Sequence, residues 1–330
     1  MKHISILVPQ GHTSVTNIEG SLQILSEVNG FLAGLGRPPL FTIEMVGLVK
    51  DNSQRNGLFS IRPDKLVEEV TKTDLVIIPA MHGDQYQALE LNKGFIPWIT
   101  DQYNHGAELA AFCIGAFFLA STGLMKGKRC ATHWKLANEF RNMFPDVNLV
   151  DDKIMTEEDG IYTSGGAYSW LNLILYLIEK YAGREVAILA AKAYMIDIDR
   201  TSQSPFIMFE GQKAHEDEPI RRAQEYIEQN FEEKITVEQL AGMFALGRRN
   251  LERRFKKATS NTIVEYIQRV KIEVAKKGLE TSRKSVNELM YDVGYNDTKA
   301  FRTVFKRVTG LSPIEYRNKY NKEAVLAQEA

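Results

Sequence analysis

Two patterns of apolar positions alternate along the first two-thirds of the chain. Short and almost uninterrupted apolar runs, such as residues 4–8 and 74–79, are typical of buried parallel strands. Between them lie longer segments whose apolar residues are three or four positions apart, as in amphipathic helices. We predict strands at 4–8, 41–49, 74–79, 109–113 and 160–163, and helices at 18–32, 64–70, 86–103, 133–143 and, as a pair, within 168–195. This alternation predicts a doubly wound α/β fold with a mostly parallel sheet.

The last third of the chain has a helical pattern and contains an internal repeat. The sequence FKKATSNTIVEY at residues 255–266 returns fifty positions later as FKRVTGLSPIEY, with five identical positions. Each copy follows a short helix, a brief break and a strongly basic helix, at 237–244, 245–247 and 248–258 in the first copy and at 286–292, 293–296 and 297–308 in the second. Thr236 and Ser285 are placed to cap the short helices. The repeat therefore predicts two helix-turn-helix units in an all-α domain.

A helical connector joins the two units. Residues 264–279 keep a helical period, and at ~1.5 Å per residue this segment is roughly 25 Å long. Such a connector is suited to hold two recognition helices about one DNA turn, ~34 Å, apart on one face of a duplex. We therefore expect one domain to contact two successive segments of the major groove.

Charge divides the chain at the same place as the hydrophobic pattern. Residues 219–322 contain 22 Lys and Arg against 13 Asp and Glu, a net charge of +9, whereas the rest contains 19 against 29, a net charge of −10. The basic part is the candidate for a polyanionic partner such as double-stranded DNA. The polar segment before it contains Pro205 and is typical of a linker. The predicted boundaries are 1–205 for the first domain, 206–218 for the linker, 219–322 for the second domain and 323–330 for a tail.

Cysteine usage and apolar run lengths indicate the compartment. The chain has two cysteines, Cys113 and Cys130, and its first apolar run is too short for a secretory signal. No uncharged run approaches the ~18 residues of a membrane helix. We therefore expect a cytoplasmic protein with free thiols and no membrane contact. Since His, Cys, Asp and Glu show no metal-ligand spacing, neither a metal nor a cofactor is predicted.

Cys113 lies where a buried strand turns into an apolar helix. Such a turn presents its side chain at the carboxyl edge of the sheet, where α/β proteins bind ligands. Gly115 and Ala116 are small enough for a tight turn. The helix amides behind the sulfur are expected to lower the thiol pKa. Three interpretations stay open: a reactive nucleophile, a retained but non-catalytic ligand pocket, and a merely structural thiol.

The sequences FCIGAFFLASTGLMKGKRCATHW (112–134) and IYTSGG (161–166) resemble the ThiJ/PfpI branch of the class I glutamine amidotransferase-like superfamily, over residues 1–206. The resemblance implies a flavodoxin-like fold with Cys113 at the nucleophile position and His133 in the same pocket. It also shows departures. Asn17 stands where enzymes often have a carboxylate, Ile114 stands where protease-like members have histidine, and a late His-x-Glu pair is absent. The resemblance therefore implies a ligand pocket of Asn17, Cys113, Ile114 and His133, with Cys113 and His133 as the only catalytic candidates.

The carboxy-terminal sequences DVGYND (292–297), FKR (305–307), TGLSP (309–313) and EYR (315–317) resemble the AraC/XylS family of transcription regulators, over residues 219–320. Ala245 stands where this family usually has glycine, and Gly247 where it usually has a serine cap. Family position implies a set of base-reading residues: Arg249, Glu252, Arg253, Thr298, Lys299, Arg302 and Thr303. It also implies a set of phosphate-binding residues: Arg254, Lys256, Lys257, Lys306 and Arg307.

The order of the two domains resembles the GlxA-like branch of AraC/XylS regulators. The resemblance implies a sequence-specific regulator that binds promoter DNA, dimerises, responds to a small-molecule effector through its first domain and acts on RNA polymerase. One alternative is a hydrolase, hydratase or amidotransferase-like enzyme that uses Cys113 and carries a DNA-binding domain. Another is an assembly domain whose crevice is filled.

Overall fold

The computed structural model describes residues 1–54, 57–213 and 215–321, and the chain divides into two compact units, Met1–Gln203 and Ser204–Ala330. The predicted tail, 323–330, lies outside the described residues. Within the described ranges, no helix combines the length and apolar character needed to cross a bilayer.

The amino-terminal unit alternates strands and helices. Its strands are β1 (Lys2–Val8), β2 (Phe41–Gly47), β3 (Asn52–Gln54), β4 (Phe59–Ile61), β5 (Lys65–Leu66), β6 (Leu75–Ile78), β7 (Glu108–Ala111), β8 (Arg129–Cys130), β9 (Asn148–Leu149), β10 (Met155–Glu158) and β11 (Ile161–Ser164). Its helices are α1 (Val15–Gly34), α2 (Gln85–Asn92), α3 (Phe95–Asn104), α4 (Gly115–Ser121), α5 (Ala137–Met143), α6 (Ser169–Ala182) and α7 (Arg184–Ala193).

Seven strands form one twisted sheet in the order β10-β11-β7-β6-β1-β2-β5, and all pairs are parallel except β10 with β11. Alternate residues of β1 point to opposite faces, so Ile4 and Ile6 join a core with α1, α6 and α7. Leu7 joins the core with α3, α4 and α5 on the other face. Helices cover both faces, which confirms the predicted doubly wound fold.

Two predicted helices are wrong in this unit. Residues 64–70 form β5 and a 3₁₀ turn, Val67–Glu69, because Leu66 pairs with Gly47 and extends the sheet edge. The predicted helix 86–103 is broken into α2 and α3 at Gly94, the residue type least suited to a helix interior apart from proline. A Cβ at Gly94 would lie 3.2 Å from the Leu48 side chain, so this break allows close packing.

The carboxy-terminal unit is helical and confirms the two predicted helix-turn-helix units. Its helices are α8 (Glu218–Gln229), α9 (Val237–Met243), α10 (Arg248–Thr259), α11 (Ile263–Thr281), α12 (Val286–Asp292), α13 (Thr298–Thr309) and α14 (Pro313–Tyr320). One apolar core forms around α8, α9 and α10, and a second forms around α12, α13 and α14. The connector helix α11 contributes to both cores.

The sequence repeat is also a repeat of hydrogen bonds. The predicted caps Thr236 and Ser285 both form capping boxes, with Gln239 and Glu288. Near the end of each recognition helix, Thr259 and Thr309 donate to a carbonyl oxygen four residues earlier, at 2.8 Å in both copies. The two copies therefore use the same local interactions to fix the same turn.

The polar segment before α8 is ordered on the carboxy-terminal unit. Phe209 N–H donates to the Glu273 carboxylate at 3.1 Å, and Lys276 Nζ donates to the Ile207 carbonyl at 2.6 Å. Farther along, Asp217 caps α8 and pairs with Arg254. The segment predicted as a linker, 206–218, thus contacts α8, α10 and α11 along its described residues.

Candidate nucleic-acid interface and ligand pocket

The recognition helices α10 and α13 each bury one face and expose the other. Leu251 and Phe255 in α10, and Phe301 and Phe305 in α13, are at most 1% exposed. Their spacing of four residues turns the remaining charged and hydroxyl side chains away from the core. This arrangement is required of helices that enter the major groove.

The base-reading candidates of α10 lie on its outer surface. Arg249 and Arg253 are exposed, and Glu252 is half-buried. Arg253 Nη2 donates to Asn250 Oδ1 at 3.0 Å, and Arg248 Nε donates to the Glu252 carboxylate at 3.2 Å. Arginine can donate two hydrogen bonds to guanine O6 and N7, and glutamate can accept one from cytosine N4. These assignments stay predictions.

The candidates of α13 include two hydroxyl side chains and no carboxylate. Lys299, Arg302 and Thr303 are exposed, and Thr298 is half-buried at the start of the helix. Thr303 Oγ1 donates to the Lys299 carbonyl at 2.8 Å, which leaves its methyl group available for a thymine methyl. The two recognition helices therefore offer different chemistry to base edges.

The five phosphate candidates differ in their surroundings. Lys256, Lys257, Lys306 and Arg307 are exposed at the carboxyl ends of α10 and α13. Arg254, in contrast, donates to both carboxylate oxygens of Asp217, at 2.9 and 2.6 Å. This ion pair raises the pKa of Arg254 and lowers that of Asp217 through their mutual hydrogen bonds. A bidentate pair holds the guanidinium against α8.

The two turns begin with the same geometry despite their different residues, and the second has one residue more before its recognition helix. Ala245 has φ +52° and Gly294 has φ +71°, so the alanine adopts the left-handed conformation that glycine occupies in the second copy. Leu246 N–H and Tyr295 N–H each close the turn onto the carbonyl five residues earlier. Gly247 provides no side-chain cap for α10, whereas Asp297 caps α13 through two backbone N–H groups.

Cys113 lies on a strained turn between β7 and α4. Its φ of +54° is rare for a residue with a side chain. Its N–H donates to Ser164 Oγ at 3.1 Å, and its carbonyl accepts from Thr132 Oγ1 at 2.9 Å. Gly115 is needed behind it because a Cβ there would lie 2.6 Å from the Pro79 carbonyl oxygen. This is the geometry of a nucleophile elbow.

The expected lowering of the Cys113 pKa is wrong. Burial raises the pKa of the thiol to about 11, although backbone N–H groups of Ala167 and Ile114 favour the thiolate. The side chain is only 5% exposed, so desolvation outweighs the effect of the helix amides. The second thiol, Cys130, has its pKa raised to about 12 by burial. Neither sulfur is a thiolate at neutral pH.

The imidazole of His133 is held by a main-chain hydrogen bond and by packing against the chain at Gly166. Its Nδ1 accepts a hydrogen bond from Lys135 N–H at 3.1 Å, which leaves the proton of the neutral ring on Nε2. Its ring packs on Gly166, where a Cβ would lie 2.8 Å from Cδ2. Burial, Lys135 and His82 lower the pKa of His133. No hydrogen bond joins this ring to Cys113 in the part of the chain that the structure describes.

The other two pocket candidates lie beside the elbow. Asn17 is 4% exposed, and its Oδ1 accepts from Ala80 N–H at 3.1 Å, next to the Pro79 carbonyl that contacts Gly115. Ile114 packs in the core that contains Cys113. Asn17 thus supports the end of β6 where the enzymes of the superfamily have a carboxylate. Among the described residues, no cluster of His, Cys, Asp and Glu is suited to a metal ion.

A cavity of about 440 Å³ opens at the carboxyl ends of β1 and β6. Its lining is mainly polar: Gln10, Gly11, His12, Ser53, Gly57, His82, Gly83, Asp84, Gln87, Ala88 and Leu91. Asn17, Cys113, Ile114 and His133 are not among the described residues that line it. His82, which lines the cavity, contributes to the lowered pKa of His133 through its charge.

Gln203 is a residue of this region that sequence patterns do not reveal. It is 1% exposed, and its amide donates to the Thr132 and Lys153 carbonyls and accepts from Gly166 N–H, all at 3.0–3.1 Å. Thr132 in turn bonds the Cys113 carbonyl. Gln203 ends the amino-terminal unit, so the last residue of that unit is anchored beside the elbow.

Two protein families match separate parts of the chain. Residues 40–180 match the DJ-1/PfpI family, and residues 240–319 match the helix-turn-helix domain family. The first match covers β2 to β11 and the elbow, without β1. The second extends from within α9 into α14 and so covers most of both helix-turn-helix units.

Relatives and solved structures agree with these matches. The chain is 30% identical over 273 residues to the HTH-type transcriptional activator RhaS of Mannheimia succiniciproducens, covering 77% of this chain and 91% of RhaS. It is 22% identical over 215 residues to the HTH-type transcriptional regulator GlxA of Rhizobium meliloti, covering 65% of this chain and 66% of GlxA. A Vibrio parahaemolyticus crystal structure described as a transcriptional regulator is similar at 24% identity and a TM-score of 0.52, covering 59% of this chain and 99% of that one.

Proposed function

Because the chain belongs to the AraC-type helix-turn-helix transcriptional regulators, with a DJ-1/PfpI domain before its DNA-binding domain, we propose that it recognises two successive major-groove segments of a promoter and responds to a small molecule held by the amino-terminal unit. The single observation that carries the proposal is the duplicated unit, in which α10 and α13 each bury an apolar face and expose a face that carries Arg and Lys.

Two recognition helices on one connector favour a two-segment DNA site. Helix α11 has 19 residues, so its length is roughly 28 Å at 1.5 Å per residue. That length is close to one turn of DNA, ~34 Å. Base-edge contacts from Arg253 and Arg302 would give sequence preference, and exposed residues such as Lys257 and Lys306 would give salt-dependent affinity.

The small-molecule part of the proposal is supported by the open cavity at the carboxyl edge of the sheet. That edge is where α/β proteins bind ligands, and two imidazoles, two glutamine amides and Asp84 line it. A ligand there can control DNA binding only by favouring one of two arrangements of the protein. Gln203 is anchored beside the elbow, and residues 207–209, which follow it closely in the chain, pack on α11. The main chain between them connects the ligand-binding unit to the DNA-binding unit.

We propose that the amino-terminal unit is not catalytic. A nucleophilic thiol needs an adjacent base or a lowered pKa, and Cys113 has a raised pKa and no hydrogen bond to His133 among the described residues. The unit then serves to sense a small molecule or to mediate dimerisation, and we propose that the promoter-bound protein contacts RNA polymerase.

The test is capture of genomic DNA fragments by the purified full-length protein at two salt concentrations. We expect a few promoter fragments to be selected, with affinity falling steeply as salt rises. The variant Arg253→Ala should relax selection at one position, while Lys257→Ala should weaken binding to all fragments alike. Capture without selection in the presence and absence of cell-extract metabolites would refute the proposal. Sedimentation at micromolar concentration tests dimerisation, which a monomer with and without DNA would contradict.

A further inference from the structure

Helix α11 passes from one apolar core to the other at its middle. Val270 belongs to the core of the first helix-turn-helix unit, and Ile272 belongs to the core of the second. The residue between them is Lys271, which is only 7% exposed. A buried ammonium is costly unless polar groups surround it. Polar groups at the junction of the two cores must therefore compensate for the buried charge of Lys271.

The ammonium of Lys271 contacts both helix-turn-helix units. Its Nζ donates to the Glu233 carbonyl, before α9, at 3.5 Å and to the Gly294 carbonyl, after α12, at 3.4 Å. It also lies 5.6 Å from the centre of the Tyr295 ring, within the range of a cation–π contact. No carboxylate is within ion-pair distance of this Nζ in the described ranges of the chain. The bridge is thus made to main-chain oxygens of two turns, one from each unit.

The internal repeat shows which of these contacts is special. The position equivalent to Lys271 in the second copy is Asn321, whose amide donates to the Ser282 carbonyl at 3.2 Å. Ser282 lies three residues before the cap of α12, as Glu233 lies three residues before the cap of α9. The bond to the preceding turn is therefore common to both copies. Asn321 also donates to the Leu279 carbonyl at 2.9 Å, whereas Lys271 uses the greater length of lysine to reach the Gly294 carbonyl.

The backbones of the two units also approach each other closely at this junction. A Cβ at Gly294 would lie 2.0 Å from the Glu232 carbonyl oxygen and 2.8 Å from Lys271 Nζ. Phe231 packs against both cores just before this loop. The turn of the second unit at Gly294 therefore packs closely on the loop of the first unit at Glu232, and Lys271 Nζ donates hydrogen bonds to both segments.

We propose that Lys271 is a positioning residue that fixes the second helix-turn-helix unit against the first and so sets the spacing at which α10 and α13 meet DNA. This role rests on the proposed two-segment recognition. Lys271 itself lies in the core and touches no base. Its removal loosens the spacing of the two recognition helices and leaves each helix intact.

The experiment measures the coupling between Lys271 and one DNA segment. The probes are a captured genomic duplex and the same duplex with the segment protected by α13 scrambled. The variant Lys271→Asn installs the residue of the second copy, removes the ammonium and is too short to reach the Gly294 carbonyl. Lys277→Asn removes a positive charge from an exposed position of the same helix and is the matched control.

We expect scrambling to weaken wild-type binding by at least 30-fold. Lys271→Asn should weaken binding to the intact duplex about tenfold and leave binding to the scrambled duplex unchanged, so that the penalty for scrambling shrinks tenfold. Lys277→Asn should weaken both duplexes by the same small factor. Tyr295→Leu, which removes the ring beside the ammonium, should shrink the penalty in the same direction if Lys271→Asn fails to fold.

Three outcomes would overturn the proposal. Equal weakening of both duplexes by Lys271→Asn would mean general damage to the domain. If scrambling weakened binding by Lys271→Asn and Tyr295→Leu as much as it weakens wild-type binding, the junction would not set the spacing of the two recognition helices. Two-segment recognition would still stand. Indifference of the wild-type protein to scrambling of either segment would refute two-segment recognition, and the positioning role with it.

Discussion

The turns of the two helix-turn-helix units offer a matched pair of substitutions, Ala245→Gly and Gly294→Ala. Ala245 holds φ at +52°, which costs an alanine about 1 kcal/mol relative to glycine. Ala245→Gly should therefore stabilise the carboxy-terminal unit by about 1 kcal/mol, which raises its melting temperature by roughly 4 °C. Gly294→Ala incurs the same backbone cost and also places a Cβ 2.0 Å from the Glu232 carbonyl oxygen. A main-chain shift is then required, and we expect a loss of at least ~3 kcal/mol.

Thermal unfolding separates the two units without cutting the chain. All three tryptophans, Trp98, Trp134 and Trp170, lie in the amino-terminal unit, so their fluorescence reports on that unit. Far-ultraviolet circular dichroism also records the helices of the carboxy-terminal unit. The two substitutions should shift the unfolding of the carboxy-terminal unit, seen by circular dichroism, in opposite directions. The unfolding of the amino-terminal unit, seen by tryptophan fluorescence, should stay unchanged. A destabilised Ala245→Gly variant, or a Gly294→Ala variant within 1 kcal/mol of wild type, would refute this account of the turns.

Three further predictions concern single residues. Alkylation of Cys113, followed by mass spectrometry, should keep accelerating above pH 9.5 because burial raises the thiol pKa to about 11; a rate that levels off below pH 7 would instead restore the nucleophile hypothesis. Lys257→Ala should lower the slope of log affinity against log salt by about 0.9, whereas Arg254→Ala should change it less, because Arg254 is held by Asp217; equal changes in the two binding titrations would contradict this difference. Since burial lowers the pKa of His133, the unfolded chain binds its proton more readily, and the amino-terminal unit should lose stability as the pH falls below about 6.5. His133→Gln should reduce that loss in urea titrations followed by tryptophan fluorescence, and an unchanged pH dependence would show that another group is responsible.

Local patterns in the sequence were sufficient for the fold and for the recognition helices. The apolar strands, the caps at Thr236 and Ser285 and the buried Phe255 and Phe305 depend on residues a few positions apart, which periodicity records. The elbow at Cys113 was also predictable, since a strand, a small residue and an apolar helix follow one another there.

Properties that depend on distant residues were not predictable. The Cys113 pKa is set by burial, and the backbone N–H groups of Ala167 and Ile114 have the smaller, opposite effect. Gln203 lies in a polar segment with no motif, and its partners are 37 to 71 residues away. The sequence pattern shows Lys271 only as one of several charged residues on an amphipathic helix. Its two carbonyl partners lie 38 and 23 residues away and cannot be inferred from that pattern.

The most direct test of two-segment recognition is methylation protection of guanine N7 on a captured genomic duplex. Dimethyl sulfate modifies N7 in the major groove, where α10 and α13 are proposed to bind. The account predicts two protected patches on one face of the duplex, about one helical turn apart. Scrambling either patch should weaken binding. A single protected patch, or protection that does not depend on either recognition helix in Arg253→Ala and Arg302→Ala variants, would contradict it.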